Sequence, residues 1–184
     1  AVRRGVKRAP VIADLPFHSY DTPEQALANA RRLMDAGADA VKLEGGRAFI
    51  PQVSAIIASG IPFVGHIGML PQSVREEGGY KKKGKTPEQI EGLIADAVAL
   101  DQAGASAIVL ESIVQDVAAQ ITEKIKASTI GIGAGSGTDG QVLVTHDLIG
   151  SFPWFRPPFA KARADVAQSI STAVHEWLAE VRAP

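Results

Sequence analysis

The sequence contains no cysteine. That absence excludes disulfides, thiolate nucleophiles and sulfur-ligated metals, so any metal chemistry must use oxygen or nitrogen donors. No apolar run approaches the roughly 20 residues that cross a bilayer, and Ala1–Pro10 (AVRRGVKRAP) lacks the apolar centre of a signal peptide. A cytoplasmic protein without membrane contact is the expectation. Nor is there an excess of charge of one sign: 19 Lys and Arg stand against 20 Asp and Glu, dispersed along 184 residues. Such a chain offers no basic face to nucleic acid or to an anionic membrane, and its expected partner is a small molecule.

What is present is a 46% hydrophobic chain, enough for one domain over residues 1–184 with a substantial core. Short β-prone segments recur: Val11–Asp14, Ala40–Glu44, Pro62–His66, Ala107–Glu111, Thr129–Gly133 and, more weakly, Gln141–Val144. Helical spacing lies between them, as in Ala26, Leu27, Ala30, Leu33 and Met34, or Ile90, Leu93, Ile94, Ala97 and Leu100. A C-terminal helix is expected over about 160–182.

Local chemistry punctuates these segments. Thr-Pro-Glu-Gln occurs at Thr22–Gln25 and again at Thr86–Gln89. Thr suits the N-cap, Pro the first helical position, and Gln three residues on can complete a capping box. The Ala-Gly-Ala triplets at 36–38 and 103–105 are the matching stops, where glycine ends a helix and a strand follows.

Alternating strands and helices, with continuously apolar strands, imply a parallel sheet covered by helices. Asp14, Glu44, His66 and Glu111 all stand at C-terminal strand ends, the face on which barrel enzymes assemble their sites. A (β/α)8 TIM barrel is therefore favoured over an open sheet, which would gather such residues at one switch point. The strand count leaves the first two β/α units of a barrel without counterparts in this chain.

Lys42 and Glu44 are two apart in a strand, so they share a face, and the inner face near the mouth is where both charges meet water and ligand. A structural ion pair inside the barrel is the alternative. With Asp14 and Glu111 on neighbouring strands, three carboxylates are expected to converge. Repulsion among them is relieved by a cation or a shared proton, and magnesium suits an all-oxygen site completed by substrate and water. His66 is a candidate hydrogen-bonding group for substrate. His18 and His146 are expected in loops and His175 on the surface of the C-terminal helix. Gly131–Gly135 (GIGAG) permits either a phosphate loop or close backbone packing. Gly78–Lys85 (GGYKKKGK) is expected to be a mobile loop whose lysines could attract an anionic folate tail.

In order along the chain, ADLPFHSY from Ala13, VKLEGG from Val41, GHIG from Gly65 leading to Pro71-Gln72-Ser73-Val74, Gly78-Gly79-Tyr80, VLE ending at Glu111, IGIGAG from Ile130 and DGQVLV from Asp139 resemble the ketopantoate hydroxymethyltransferase family. The resemblance spans nearly the whole chain. It implies a (β/α)8 barrel of the phosphoenolpyruvate/pyruvate type, a homo-oligomer (a decamer in the family), and a place in pantothenate biosynthesis. It also implies magnesium as cofactor, 5,10-methylenetetrahydrofolate as cosubstrate and 3-methyl-2-oxobutanoate, a 2-oxo acid, as substrate. Asp14 and Glu44 match the family's metal ligands, Asp14 and Lys42 match substrate-binding positions, to which His66 is added as a candidate, and Glu111 matches the proton acceptor.

There are departures. The family's Asp-Ser pair on its first strands, a third metal ligand and a substrate contact, has no counterpart here. Met69-Leu70 replaces the usual Leu-Thr, and Lys81–Lys83 make the following loop more basic. Weak magnesium binding and poor turnover by the chain on its own are expected. Two other readings stay open: a different magnesium-dependent 2-oxo acid lyase or aldolase, and a non-catalytic assembly partner.

Overall fold

A computed structural model describes residues 1–76 and 78–183. The chain forms two compact units, Ala1–Gln141 and Val142–Pro184.

The first unit opens with the one-turn helix α1 (Val2–Gly5) and then alternates strands with helices. The strands are β1 (Ile12–Asp14), β2 (Ala40–Lys42), β3 (Phe63–Gly68), β4 (Ala107–Glu111), β5 (Ser128–Ile132) and β6 (Gly140–Gln141). Between them lie helices α2 (Pro23–Asp35), α3 (Ile50–Ala58), α4 (Pro87–Gln102) and α5 (Gln115–Lys124). All six strands are parallel and pair in chain order, β1 to β6. A doubly wound sheet reverses its strand order at a switch point. This sheet never reverses, so it is the singly wound wall of a barrel.

Both Thr-Pro-Glu-Gln segments start helices as their chemistry requires. Gln25 N–H donates to Thr22 Oγ1 at 3.2 Å, and Gln89 N–H to Thr86 Oγ1 at 3.4 Å. Each Gln side chain reaches back past the cap: Gln25 Oε1 accepts from Asp21 N–H, and Gln89 Oε1 from the N–H groups of Gly84 and Lys85. The two Ala-Gly-Ala stops are Schellman motifs. Gly37 and Gly104 take positive φ, and the following N–H groups, of Ala38 and Ala105, donate back to Leu33 and Leu100.

Side-chain alternation divides the sheet into two faces. Val41, Phe63, Ile67, Ile108 and Leu110 face the helices and join the main core with Ala97, Leu100, Val117 and Ile121. Each large side chain buried there stabilises the fold by about 1.5–3 kcal/mol. Gly65 lets α4 approach, because a Cβ there would stand 2.8 Å from Leu100 Cδ1. On the other face Val64, Val109 and Ile132 form a small second cluster, with Ala40, Ala107 and Ile130 against it. The register sets Asp14 beside Lys42, His66 beside Val109 and Gly68 beside Glu111. The polar strand-end residues therefore share the inner face with this second cluster.

Several boundaries differ from expectation. β2 stops at Lys42, because past it the chain leaves the ladder and Gly45 N–H donates to the His66 carbonyl instead. β6 lies at Gly140–Gln141 rather than 141–144. There Asp139 Oδ2 accepts from both Thr129 N–H and Thr129 Oγ1, which draws the chain alongside β5 early. The lysine-rich loop is pinned at its end: Lys83 N–H donates to Ser112 O and Lys83 O accepts from Val114 N–H.

In the second unit, α6 (Thr145–Ile149) contains His146, which the sequence suggested as a loop residue. Five residues are too few to show a helical period, and Gly150 ends the helix with a left-handed φ of 64°. α7 (Val166–Arg182) begins later than residue 160, where Asp165 accepts from Gln168 N–H at 3.1 Å. His175 is exposed on it, as expected. No helix among the described residues is long and apolar enough to cross a membrane.

Candidate active site

The inner-face residues meet at the C-terminal ends of β1 to β4. Lys42 Nζ lies 3.0 Å from Asp14 Oδ1 and 3.2 Å from His66 Nδ1. His66 Nε2 lies 3.1 Å from Glu111 Oε2, and His66 Nδ1 lies 3.9 Å from Glu44 Oε1. Glu44, His66 and Glu111 are buried, at 5%, 3% and 8% exposure, while Asp14 is open to solvent. All five residues singled out from the sequence are thus brought together. Their order is the new information. The carboxylates do not gather at one point: Lys42 stands between Asp14 and His66, and His66 between Lys42 and Glu111.

This order selects a tautomer for the neutral ring. A lysine ammonium has three donors and no acceptor, so opposite it His66 Nδ1 is the acceptor and the neutral ring carries its proton on Nε2. Nε2 approaches Glu111 without the alignment of a hydrogen bond, and is left as a buried polar atom with no partner. An unsatisfied buried donor beside a buried carboxylate has capacity for a ligand oxygen.

Burial pushes the Glu44 carboxyl above the usual carboxylate range, and the nearby Glu111 charge adds to the rise. The Gln72 N–H, donating to Glu44 Oε2 at 2.9 Å, pulls the other way, as would a positive charge on His66 and as does Lys42, without cancelling the rise. Tyr20 is also drawn in. Burial first, and the Glu44 charge second, push its hydroxyl up to about 12, so it remains a donor at neutral pH.

Among the described residues no group of three or more His, Asp or Glu side chains is arranged to hold a metal alone. Magnesium asks for less: it is commonly bound through one or two carboxylates, with waters and substrate oxygens completing an octahedron. Asp14 and Glu44 are oxygen donors of that kind, and a cation beside Glu44 would offset the cost of its buried charge. The residues present fit such an ion.

Not every glycine-rich or basic segment belongs here. A Cβ at Gly131 would stand 2.6 Å from Thr138 Oγ1 and 2.8 Å from Gln141 Nε2. At Gly135 it would collide with the Gln115 side chain. Those glycines make room for the protein's own side chains. His18 is a loop residue with φ 60°, its ring 4.1 Å from that of Phe17. Gln72 and Tyr20 were missed from the sequence, since both sit in irregular segments where no periodicity marks a buried face.

A sequentially ordered parallel sheet with acid and base groups at its strand ends defines a (β/α)-barrel enzyme fold. Solved structures agree on that fold. Phosphonopyruvate hydrolase matches with a TM-score of 0.50 at 14% identity, over 97% of this chain and 62% of that one. An uncharacterized conserved protein from Geobacillus kaustophilus matches with 0.52 at 19% identity, over 91% and 76%.

Sequence comparison narrows this. The family model described as ketopantoate hydroxymethyltransferase matches residues 1–184. A 3-methyl-2-oxobutanoate hydroxymethyltransferase of Thermoanaerobacter sp. (strain X514) is 50% identical over 184 residues, 99% of this chain and 67% of the relative. The enzyme of that name from Cenarchaeum symbiosum (strain A) is 49% identical over 182 residues, 98% of this chain and 70% of the relative. The chain belongs to the ketopantoate hydroxymethyltransferase family, and it spans about two thirds of the length of these relatives.

Proposed function

We propose that the protein transfers a hydroxymethyl group from 5,10-methylenetetrahydrofolate to 3-methyl-2-oxobutanoate, forming 2-dehydropantoate on the route to pantothenate. The observation that carries this reading is the line Asp14, Lys42, His66, Glu111, with buried Glu44 beside the histidine. It sets a cation-binding edge next to a base. Asp14 and Glu44 would hold magnesium, which when bound supplies Lewis acidity towards the keto and carboxylate oxygens of the 2-oxo acid. Glu111 would take the C3 proton. Lys42 puts a fixed positive charge where the enolate develops, and the His66 Nε2 proton is available to an oxygen of the substrate. The enolate carbon then bonds to the methylene carbon of the folate as the two C–N bonds to that carbon break; water supplies the hydroxyl oxygen, and the folate nitrogens take up protons and leave as tetrahydrofolate.

In this reading the protein works in the cytoplasm as a homo-oligomer. Its relatives' names support the overall transfer; the fit of Asp14 and Glu44 to magnesium supports the cofactor.

Proton abstraction can be tested without folate. Incubated in D2O with magnesium and 3-methyl-2-oxobutanoate, the chain is expected to wash deuterium into C3, followed by loss of the C3 proton signal in NMR. Glu111→Gln is expected to abolish the exchange. Substrate that binds yet shows no exchange above the solvent rate would refute the role of Glu111. Exchange of pyruvate but not of 3-methyl-2-oxobutanoate would favour a lyase of the same fold.

A further inference from the structure

Gln72 makes three bonds at once from the short 3-10 turn Pro71–Ser73 that follows β3. Its backbone N–H donates to Glu44 Oε2 at 2.9 Å. Its side-chain Nε2 donates to the Leu15 carbonyl at 3.1 Å, and its Oε1 accepts from the Tyr20 hydroxyl at 3.1 Å. The amide orientation is not interchangeable. Turned over, its oxygen would face the Leu15 carbonyl and its NH2 the hydroxyl of Tyr20, whose ring packs edge-on against that of Phe49 with centroids 5.3 Å apart.

These bonds add to what the strands already tie. β1 pairs with β2, Asp14 opposite Lys42, and Leu15 N–H donates to the Lys42 carbonyl. Asp14 is the last residue of a strand of only three and is exposed, and Glu44 lies past the end of β2, on irregular chain. The carbonyl of Leu15, next to Asp14, and the carboxylate of Glu44 are bonded to the same glutamine.

We propose that Gln72 is a positioning residue that sets the spacing of Asp14 and Glu44, and with it the affinity of this pair for a divalent cation. The inference rests on the reading of Asp14 and Glu44 as cation ligands. Magnesium tolerates little error, since it takes near-octahedral geometry at ~2.0–2.1 Å. Tyr20 holds the amide oxygen with its hydroxyl, so that the amide N–H groups stay turned to Leu15, and the same hydroxyl lies against the Glu44 backbone N–H. Groups that orient metal ligands change affinity when removed, without touching the metal.

The test is calorimetric titration of MgCl2 into the chain and into Gln72→Met, Tyr20→Phe, the double variant and Thr22→Ala. Gln72→Met keeps the side-chain volume and the backbone N–H but loses both amide bonds, and is expected to weaken magnesium binding roughly 10- to 100-fold. Tyr20→Phe should weaken it by a smaller factor, and the double variant at least as much as Gln72→Met alone. Thr22→Ala removes a helix cap whose hydroxyl accepts from Gln25 N–H and not from the Gln72 network, so it lowers the melting temperature and should leave the magnesium affinity unchanged. Unchanged affinity in Gln72→Met overturns the inference, as does an equal loss in Thr22→Ala. Should Gln72→Met fail to fold, Tyr20→Phe decides, and an unchanged affinity there overturns it. No magnesium binding by the unsubstituted chain overturns the assignment of Asp14 and Glu44, and this inference with it.

Discussion

Nζ of Lys42 lies 3.2 Å from Nδ1 of His66. Because the ammonium can only donate, this contact selects the imidazole tautomer with its proton on Nε2, on the side of Glu111. Lys42→Met keeps the stem's volume and removes that control. Nitrogen NMR of the ring should show an unprotonated Nδ1 and a protonated Nε2 in the parent chain, and a mixture in Lys42→Met. Hydroxymethyl transfer should fall on the order of 10²–10³-fold with the loss of a fixed charge beside the developing enolate. A ring with the proton on Nδ1 in the parent chain would contradict the assignment.

Glu44 predicts a conflict between stability and function. Its carboxyl is raised above the ordinary value mainly by burial, so the folded chain binds its proton more tightly than the unfolded chain does. Stability from this group is therefore fully present below the ordinary carboxylate value and lost as pH rises through the raised one. In metal-free buffer at neutral pH, Glu44→Gln removes the buried charge and leaves an oxygen to accept from Gln72 N–H. It is expected to melt at a higher temperature than the parent chain, with the difference shrinking as pH falls towards the ordinary carboxylate value. The same variant should lose magnesium binding. A lower melting temperature at neutral pH would show that the charge is compensated without a cation.

What could be seen in the sequence was what local chemistry or strand periodicity encodes. Thr22 and Thr86 cap their helices, and Gly37 and Gly104 end them, because those bonds are made within a few residues of chain. The two-residue period put Lys42 and Glu44 on one side, and the strand ends put Asp14, His66 and Glu111 at the same mouth. Neither could give their order, because whether three carboxylates crowd together or are separated by Lys42 and His66 depends on stagger between strands. Gln72 escaped for a related reason. Its partners Glu44, Leu15 and Tyr20 are 28, 57 and 52 residues away along the chain, and its own segment is irregular. The extent of β6 was misjudged because a tertiary bond, from Thr129 to Asp139, outweighed the β-propensity of Val142 and Val144.

Tyr20 gives a prediction at alkaline pH. Its hydroxyl is pushed up to about 12, chiefly by burial, so the folded chain keeps a proton that the unfolded chain releases nearer the ordinary tyrosine value of 10.0. Stability from this group is complete below about pH 10 and declines as pH rises towards 12. Absorbance at the tyrosinate wavelength should show a late step near pH 12 that disappears in Tyr20→Phe. Tyr20→Phe should also lose less stability than the parent chain between pH 10 and 12. The absence of a late step in the folded parent chain would contradict the burial of this hydroxyl beside Glu44.

Gly68 separates two costs that substitution of a glycine usually combines. It closes β3 with φ 102°, a region L-residues rarely adopt, and a Cβ there would collide with the Glu111 carbonyl and stand 2.8 Å from Ile113 Cγ1. That carbonyl accepts from Met69 N–H at 2.8 Å, so the backbone of the proposed base is packed directly on the glycine. Gly60 also has a positive φ, 83°, but no neighbouring atom within 4 Å of an added Cβ. Gly60→Ala therefore incurs conformational strain alone, about 1–2 kcal/mol, and in a chain of this size each kcal/mol lowers the melting temperature by roughly 2–4 °C. Gly68→Ala incurs the same strain plus the collision, which only a shift of the β3 and β4 ends can relieve. Its melting temperature should fall further than that of Gly60→Ala. Deuterium exchange at C3 of the 2-oxo acid, measured well below both melting temperatures, should drop in Gly68→Ala and hold in Gly60→Ala. Equal exchange in the two variants would mean that the backbone at Glu111 can move without displacing its carboxylate.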